Sequence, residues 1–522
     1  MGRKKQAFKN LSSGLLSQLL ISILSLFTTR IIKQNLGFEV LGLNGVFTNI
    51  ISFLNLSELG LSAAVTFALY KPIADNDKET ICGILNFFKN TYRIIGSSII
   101  LIGLILIPTL KYFVNTTLDM NYVIKIYLLF ITNASVSYFL NYKTILIRAD
   151  QKNYILTLTS IISAYFTKIT QLVILITTKN YLLYLSIEVF TTIVINIIFA
   201  CFANKLYPYI IKYKKNKITK ENKNLLITKI KALFFHKIGS YVLNGTDNII
   251  ISTFLSIKTV GLYGSYFTVF RLLNRIICDL FYSLEPSIGN YMATEKKEKH
   301  YLLFNKVLFI TDLINIFVPV CFGILIKPFI TVWLGSDSLL TASIPILLSI
   351  YLFFDISRMP ILIFKDSAGL YEQDKYAPLC EACINLISSI ILVKLIGLPG
   401  VIIGTLLSYL LVPIWIGPTI IFKNIFCEKV SKYFLHLIKL SFITSFIYVI
   451  ESYIVTFIHL DNLILNFIIQ SVFVATTTVL LIVVVYFNKI KSYYPYIKLY
   501  LNKFLNLYKK KSIDRKYQIW CL

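Results

Sequence analysis

Apolar residues in this chain fall in long blocks. They do not alternate as in a half-buried strand or form the narrow stripe of a surface helix. Fourteen blocks have about the 20-residue length that lets a helix cross a hydrocarbon core. They are 11–32, 41–67, 84–109, 122–147, 155–177, 181–203, 235–256, 260–288, 304–326, 339–363, 378–395, 399–422, 434–457 and 464–487. Short polar or turn-rich stretches separate them. The pattern predicts an all-α polytopic membrane protein with about 14 transmembrane helices.

Composition agrees with the pattern. Of 522 residues, 56% are hydrophobic, mean hydropathy is +0.72 and 15% are charged, against about 25% charged in soluble domains. A soluble chain of this length needs polar surface over two or more domains, which this composition cannot supply. A soluble enzyme, a disordered scaffold and a coiled coil are excluded. Lys and Arg number 52 against 25 Asp and Glu, a formal net charge of +27. In a soluble protein that excess would suggest nucleic acid. In a polytopic chain it sorts by loop, because cytoplasmic loops retain Lys and Arg.

The N-terminus carries Arg3, Lys4, Lys5 and Lys9, the loop after span 6 holds nine lysines between Lys205 and Lys231, and the tail holds nine basic residues between Lys489 and Lys516. The odd-numbered loops have only Lys33, Lys111, Lys179, Lys258, Lys327 and Lys394. Both termini are therefore expected on the cytoplasmic side. The nine-lysine loop is expected to lie against anionic lipid headgroups. Span 1 is too long for a signal-peptide core and lacks a small-residue cleavage site, so it reads as an uncleaved helix.

The chain also repeats itself. At an offset of 219 residues, Leu36 and Gly42-Leu43-x-Gly45 align with Leu255 and Gly261-Leu262-x-Gly264, and Ala74, Lys78 and Glu79 align with Ala293, Lys297 and Glu298. Six spans fit in that offset, an even number, so both halves keep one orientation: a parallel repeat about an axis along the membrane normal. The expected organisation is a six-helix bundle (1–204), a basic linker (205–231), a second six-helix bundle (232–423), an additional helix pair (424–488) and a basic tail (489–522). A cavity between two such bundles suggests alternating access.

Several segments in order carry a family likeness. The first half has Leu36-Gly37-Phe38-Glu39-Val40-Leu41-Gly42-Leu43, Leu56-Ser57-Glu58-Leu59-Gly60-Leu61 and Leu69-Tyr70-Lys71-Pro72-Ile73-Ala74. The second has Gly245-Thr246-Asp247-Asn248-Ile249, Ala368-Gly369-Leu370-Tyr371 and Gly397-Leu398-Pro399-Gly400-Val401-Ile402-Ile403-Gly404-Thr405. Over nearly its whole length the chain resembles the polysaccharide transporter family. These are the O-antigen-type flippases of the multidrug/oligosaccharidyl-lipid/polysaccharide exporter superfamily. The resemblance implies a multi-pass protein of the bacterial cytoplasmic membrane. It would move undecaprenyl-diphosphate-linked oligosaccharide units to the outer leaflet, for assembly into O-antigen, capsule or exopolysaccharide by polysaccharide polymerase machinery. A multidrug-type cation antiporter and a lipid-linked peptidoglycan-precursor flippase of the same superfamily are the alternatives.

A charge at bilayer depth costs on the order of 2.5–3.5 kcal/mol on insertion scales, so each one needs a partner or a wet cavity. In span 8, Arg271, Arg275, Asp279 and Tyr282 share one helical face,. Arg271 and Arg275 are candidate ligands for the diphosphate or an acidic sugar, since guanidinium pairs with phosphate in a bidentate fashion. The alternative is a structural Arg275–Asp279 ion pair. Arg30 in span 1 is a candidate lining residue by the family's basic cavity, or a snorkelling side chain, and Lys168 in span 5 is a further candidate. Polar residues along span 4 (Asn133, Ser135, Ser137, Asn141) could meet sugar hydroxyls or join helices.

No G-x-x-x-x-G-K-[ST] motif is present, so coupling to H⁺ or Na⁺, or drive by substrate removal on the far side, is expected in place of ATP hydrolysis. Glu58 and Asp247 are the leading coupling carboxylates, with Asp312 and Asp355 behind them, and Glu381 is expected to cap span 11. Four scattered histidines and a single Cys380-x-x-Cys383 pair give no metal-site spacing,. The extracytoplasmic loops are too short for a catalytic domain. Neither an enzyme, a cofactor, a metal nor a nucleic-acid partner is expected.

Overall fold

The computed structural model describes residues 2–58, 61–212, 245–370 and 372–491, with a few positions between 213 and 244, and side chains from residue 21 onward. Most of the linker and tail, and the first half of span 7, lie outside the described residues. Their expected contacts with headgroups are therefore not addressed by the structure.

The described residues are helical, with no strand among them. We label Gly2–Leu54 (α1), Leu61–Ala74 (α2), Lys78–Leu106 (α3), Met120–Leu140 (α4), Asn153–Thr178 (α5), Tyr181–Leu206 (α6), Asp247–Phe254 (α7) and Ile257–Tyr282 (α8). There follow Lys297–Leu334 (α9), Ser343–Ser357 (α10, continued by Met359–Ser367), Ala377–Ile396 (α11), Leu398–Leu411 (α12, continued by Pro413–Ile421), Ser431–Val455 (α13) and Leu463–Val485 (α14). Eleven helices among the described residues are long and apolar enough to cross a membrane. The chain is a multi-pass helical membrane protein.

The difference between eleven and the expected fourteen has local causes. Spans 1 and 2 meet within α1, which breaks at Gly37 (φ 81°, ψ 179°), a left-handed conformation that favours glycine,. Span 2 is completed by the short α2. Span 7 is only partly described. Span 8 is the 26-residue α8, whose Arg271, Arg275 and Asp279 leave it outside the apolar set.

Neighbouring helices pack in two groups. In the first half α4 packs on both α3 and α6, and α5 packs on α6. In the second, α9 packs on α10 and α11 on α12, while α13 and α14 both lie against α9. The halves meet chiefly where α1 crosses α8. Two glycines permit that crossing. A Cβ on Gly42 would run into the Ile257 carbonyl, and one on Gly261 into the Phe38 carbonyl. The 219-residue offset carries Phe38 onto Ile257 and Gly42 onto Gly261. The two contacts thus exchange with each other when the halves exchange, as a two-fold axis through the crossing requires.

Further ties gather at the same end, where the odd-numbered loops lie. Lys33 pairs with Asp337 at 2.8 Å. Trp333 Nε1 donates to the Leu26 carbonyl (3.0 Å). Asn115 Nδ2 donates to the Leu255 carbonyl (2.8 Å), and Ile257 N donates to the Asn115 carbonyl (2.9 Å). Ser252 Oγ donates to the Phe113 carbonyl.

Candidate functional site

Span 10 is interrupted between Ser357 and Met359, with Pro360 at the start of the following helix. Proline lacks the N–H that would continue the ladder, so the chain restarts at Arg358. This places Arg358 and Asp355 in the wall of a cavity of about 380 Å³ formed by α7, α8, α10, α11 and α12, with Asn49 contributed by α1. Arg271, Asp247 and Glu381 line the same space.

The two arginines differ in how they are held. Arg358 Nε lies 3.7 Å from Asp355 Oδ1, and its guanidinium sits 5.7 Å from the Tyr409 ring centroid. Asn274 Nδ2 donates to the other Asp355 oxygen. Arg271 is exposed to the cavity and lies 4.6 Å from the Phe267 centroid, a cation–π contact. It has no ion pair within 4.0 Å among the described residues. The aromatic series continues beneath it, with Phe267 on Phe270 at 5.0 Å and Phe270 on Tyr351 at 5.0 Å. Asp247 opens α7, and its Oδ1 is buried with no hydrogen-bond partner among the described residues.

A second cavity, about 460 Å³, lies in the first half between α1, α4 and Glu58. Glu58 ends the 3₁₀ turn Asn55–Glu58 and accepts from Tyr92 Oη, Tyr138 Oη (2.8 Å) and Ser62 Oγ (3.0 Å). Asn133, Ser137 and Asn141 face this space, and the two asparagine Oδ1 atoms are buried without hydrogen-bond partners among the described residues. Ser135 faces elsewhere, donating to the Thr132 carbonyl (3.1 Å).

The expected site residues therefore separate. Arg271 and Asp247 come together, and Glu58 belongs to the other cavity. Arg275 is outside the lining of both and pairs with Asp279 at 3.4 Å, with 62% of its side chain exposed. Lys168 donates to Gln171 Oε1 (3.3 Å), which in turn donates through Nε2 to Glu188 (3.2 Å). Arg30 is exposed on α1 and lines neither cavity. Asp312 is buried and meets His436 of the additional helix pair at 2.9 Å.

Glu381 does not cap span 11. It lies in the second turn of α11, whose start has no side-chain cap bond, and it lines the cavity with Arg358. Arg358 was missed from sequence although Asp355-x-x-Arg358 sits in an apolar run. Its aim into the cavity depends on the helix break. No group of three metal-ligating side chains occurs among the described residues.

Among the described residues the helices form a multi-pass bundle with polar cavities in both halves. Solved structures share this fold. The chain matches the lipid II flippase MurJ in an inward closed conformation, with a TM-score of 0.65 and 16% identity over 91% of this chain and 99% of that one. It also matches an inward-facing multidrug resistance MATE family transporter of the MOP superfamily, with a TM-score of 0.60 and 15% identity over 78% of this chain and 98% of that one. These neighbours are transporters and flippases, not enzymes, and the fold is theirs. No protein-family model matches the chain, and no curated protein matches it in sequence.

Proposed function

We propose that this protein is a flippase of the bacterial cytoplasmic membrane. Its substrate is an undecaprenyl-diphosphate-linked oligosaccharide unit destined for O-antigen, capsule or exopolysaccharide, and polymerase machinery takes the unit on the far side. The chain crosses the membrane fourteen times with both termini cytoplasmic, as two parallel-related six-helix bundles and an additional pair. On that topology the α1–α8 crossing and the Lys33–Asp337 tie lie at the outer end.

Arg271 carries this reading: an arginine in the polar cavity, exposed, without a carboxylate partner within 4.0 Å among the described residues. A guanidinium so placed can take a phosphate in two parallel charge-assisted hydrogen bonds. Arg358, which lines the same cavity, supports it. Asp247 supplies the coupling. With Asp247 ionised its charge offsets that of Arg271, and a proton or Na⁺ on the carboxylate leaves the arginine field available to the diphosphate. Glu58 is a second coupling carboxylate in the other half. The test is binding of a polyprenyl-diphosphate oligosaccharide to the purified protein. Arg271→Ala is expected to weaken it at least tenfold, and unchanged affinity would remove the assignment.

One observation favours the cation-antiporter reading. Asp247, Asp355 and Glu381 give the cavity three carboxylates against two arginines. Binding of lipophilic cations that survives Arg271→Ala and is lost in Asp247→Asn would move the assignment there. A lipid-linked peptidoglycan precursor presents the same diphosphate, and comparison of sugar moieties on one polyprenyl carrier separates the two flippase readings.

A further inference from the structure

Glu451 is an acid that the proposed transport does not use. It lies in α13, on the seam where the additional helix pair packs against α9, and none of its surface is exposed. Thr477, well inside α14, places its hydroxyl 2.9 Å from Oε2. Oε1 has no hydrogen-bond partner among the described residues. Thr478 is wholly buried beside the same carboxyl, with its Oγ1 outside hydrogen-bond geometry to any described atom.

No cation faces this carboxyl among the described residues. From α14 come only hydroxyls, since Leu463–Val485 holds no ionisable residue. From α9 comes the Cys321 thiol. On α13 itself His436 is engaged with Asp312 (2.9 Å), and no ion pair to Glu451 lies within 4.0 Å. A buried charge without a partner is costly, so a proton is the simplest way to remove it.

The neighbouring hydroxyl suits both forms. Thr477 has one hydroxyl hydrogen and two acceptors in reach, Glu451 Oε2 (2.9 Å) and the Phe473 carbonyl (2.7 Å). Donated to Oε2, that hydrogen steadies the carboxylate. Turned to Phe473, it leaves the hydroxyl oxygen free to accept from a protonated Oε2. One rotation about a C–O bond serves both states, with no movement of backbone. As a purely structural tie the arrangement is poor. A buried acceptor left unsatisfied costs about 1–3 kcal/mol, and Gln470 Nε2 already joins α14 to the turn after α13 through the Ile458 carbonyl (2.9 Å).

We propose that Glu451 is a proton-exchange site at the docking seam of the additional helix pair, with Thr477 as the hydroxyl that serves both of its forms. The proton comes from water and returns to it. Uptake removes a charge from the seam, so the docking of α13 and α14 on α9 follows the proton. The site is distinct from Asp247 and Glu58 and does not depend on what the protein carries.

Infrared difference spectroscopy of the purified full-length protein between acidic and alkaline buffer tests this, with Glu451→Gln alongside. The wild type is expected to show a protonated-carboxyl stretching band that disappears at the alkaline end and is missing from Glu451→Gln. Bands kept in that variant belong to other acids. Thr477→Val is expected to keep the Glu451 band at a changed frequency, because its hydroxyl partner is lost. Should Glu451→Gln fail to fold, as judged by its melting temperature, that frequency change makes the assignment, and spectra identical to wild type in folded Thr477→Val overturn it. A Glu451 band of constant intensity at every pH marks a permanently protonated structural group, and no such band marks a permanent carboxylate. Either result overturns the site. A band that responds to Na⁺ at constant pH, and not to pH at constant Na⁺, makes the ligand a metal ion and overturns the proton assignment.

Discussion

Arg271 and Arg275 are one turn apart on α8, yet their surroundings differ in kind. The first faces a polar cavity with its guanidinium on Phe267, and the second is paired along the helix with Asp279. A charge-assisted hydrogen bond contributes about 1.5–3 kcal/mol, and each ~1.4 kcal/mol is about tenfold in affinity or rate. Transport by Arg271→Ala is therefore expected to fall at least tenfold at normal protein level, with partial recovery in Arg271→Lys, which keeps charge but not the fork. Arg275→Ala should change transport less than about threefold, because an exposed i,i+4 pair contributes little. Initial rates in vesicles check both. For coupling, Asp247→Asn should make transport insensitive to collapse of the ion gradient. Transport that stays gradient-dependent in that variant would remove Asp247 from the coupling role. The sequence made Arg271 legible, since four polar residues at helical spacing in an apolar block mark one face. It left Arg358 and Glu381 obscure. Their direction depends on the break at Arg358 and on which side of α11 meets the cavity, and neither is a property of spacing alone.

At the scale of elements, the crossing of α1 and α8 turns on two glycines that the repeat alignment had already paired. Their function as a close approach between halves was not legible, because an internal match says which residues are equivalent and not that they touch. A side chain at either position must displace backbone. Overpacking of this kind costs about 1–3 kcal/mol, and here it acts against the α1–α8 crossing. Gly42→Ala and Gly261→Ala are each expected to lower the melting temperature or to lengthen the distance between spin labels at Gln34 and Ser336. An unchanged distance distribution at unchanged stability would show the crossing to be slack. The blocks of apolar sequence located the helices well from 84–109 through 181–203 and from 260–288 through 464–487. They did not show that spans 1 and 2 run into one another through a single glycine, since Gly37 in a polar stretch reads equally well as a loop.

For the whole molecule, loop charge and inter-half contacts describe one arrangement: two halves joined at the lightly charged end. One packing is seen, and the proposed alternating access would require the same residues to support a second of similar stability, which sequence does not record. The Lys33–Asp337 pair offers a handle on that balance. The hydrogen bond from Lys33 holds the Asp337 carboxyl below its usual range. A carboxyl depressed by its closed-state partner contributes to that state above its free value, and the contribution is lost as pH falls through the depressed value. The label distance at this end should therefore be constant near neutrality and lengthen only in acid, below the usual carboxylate range. Asp337→Asn should show the longer component already at neutral pH. A distance that lengthens on raising the pH would have the wrong sign.

The most direct test of the central claim is movement of a fluorescent undecaprenyl-diphosphate oligosaccharide across liposomes containing the purified protein, with Arg271→Ala in parallel. The account predicts crossing that requires the wild-type protein and falls at least tenfold in the variant. Crossing at the rate of protein-free liposomes, with lipophilic cations exported from the same vesicles, would contradict it.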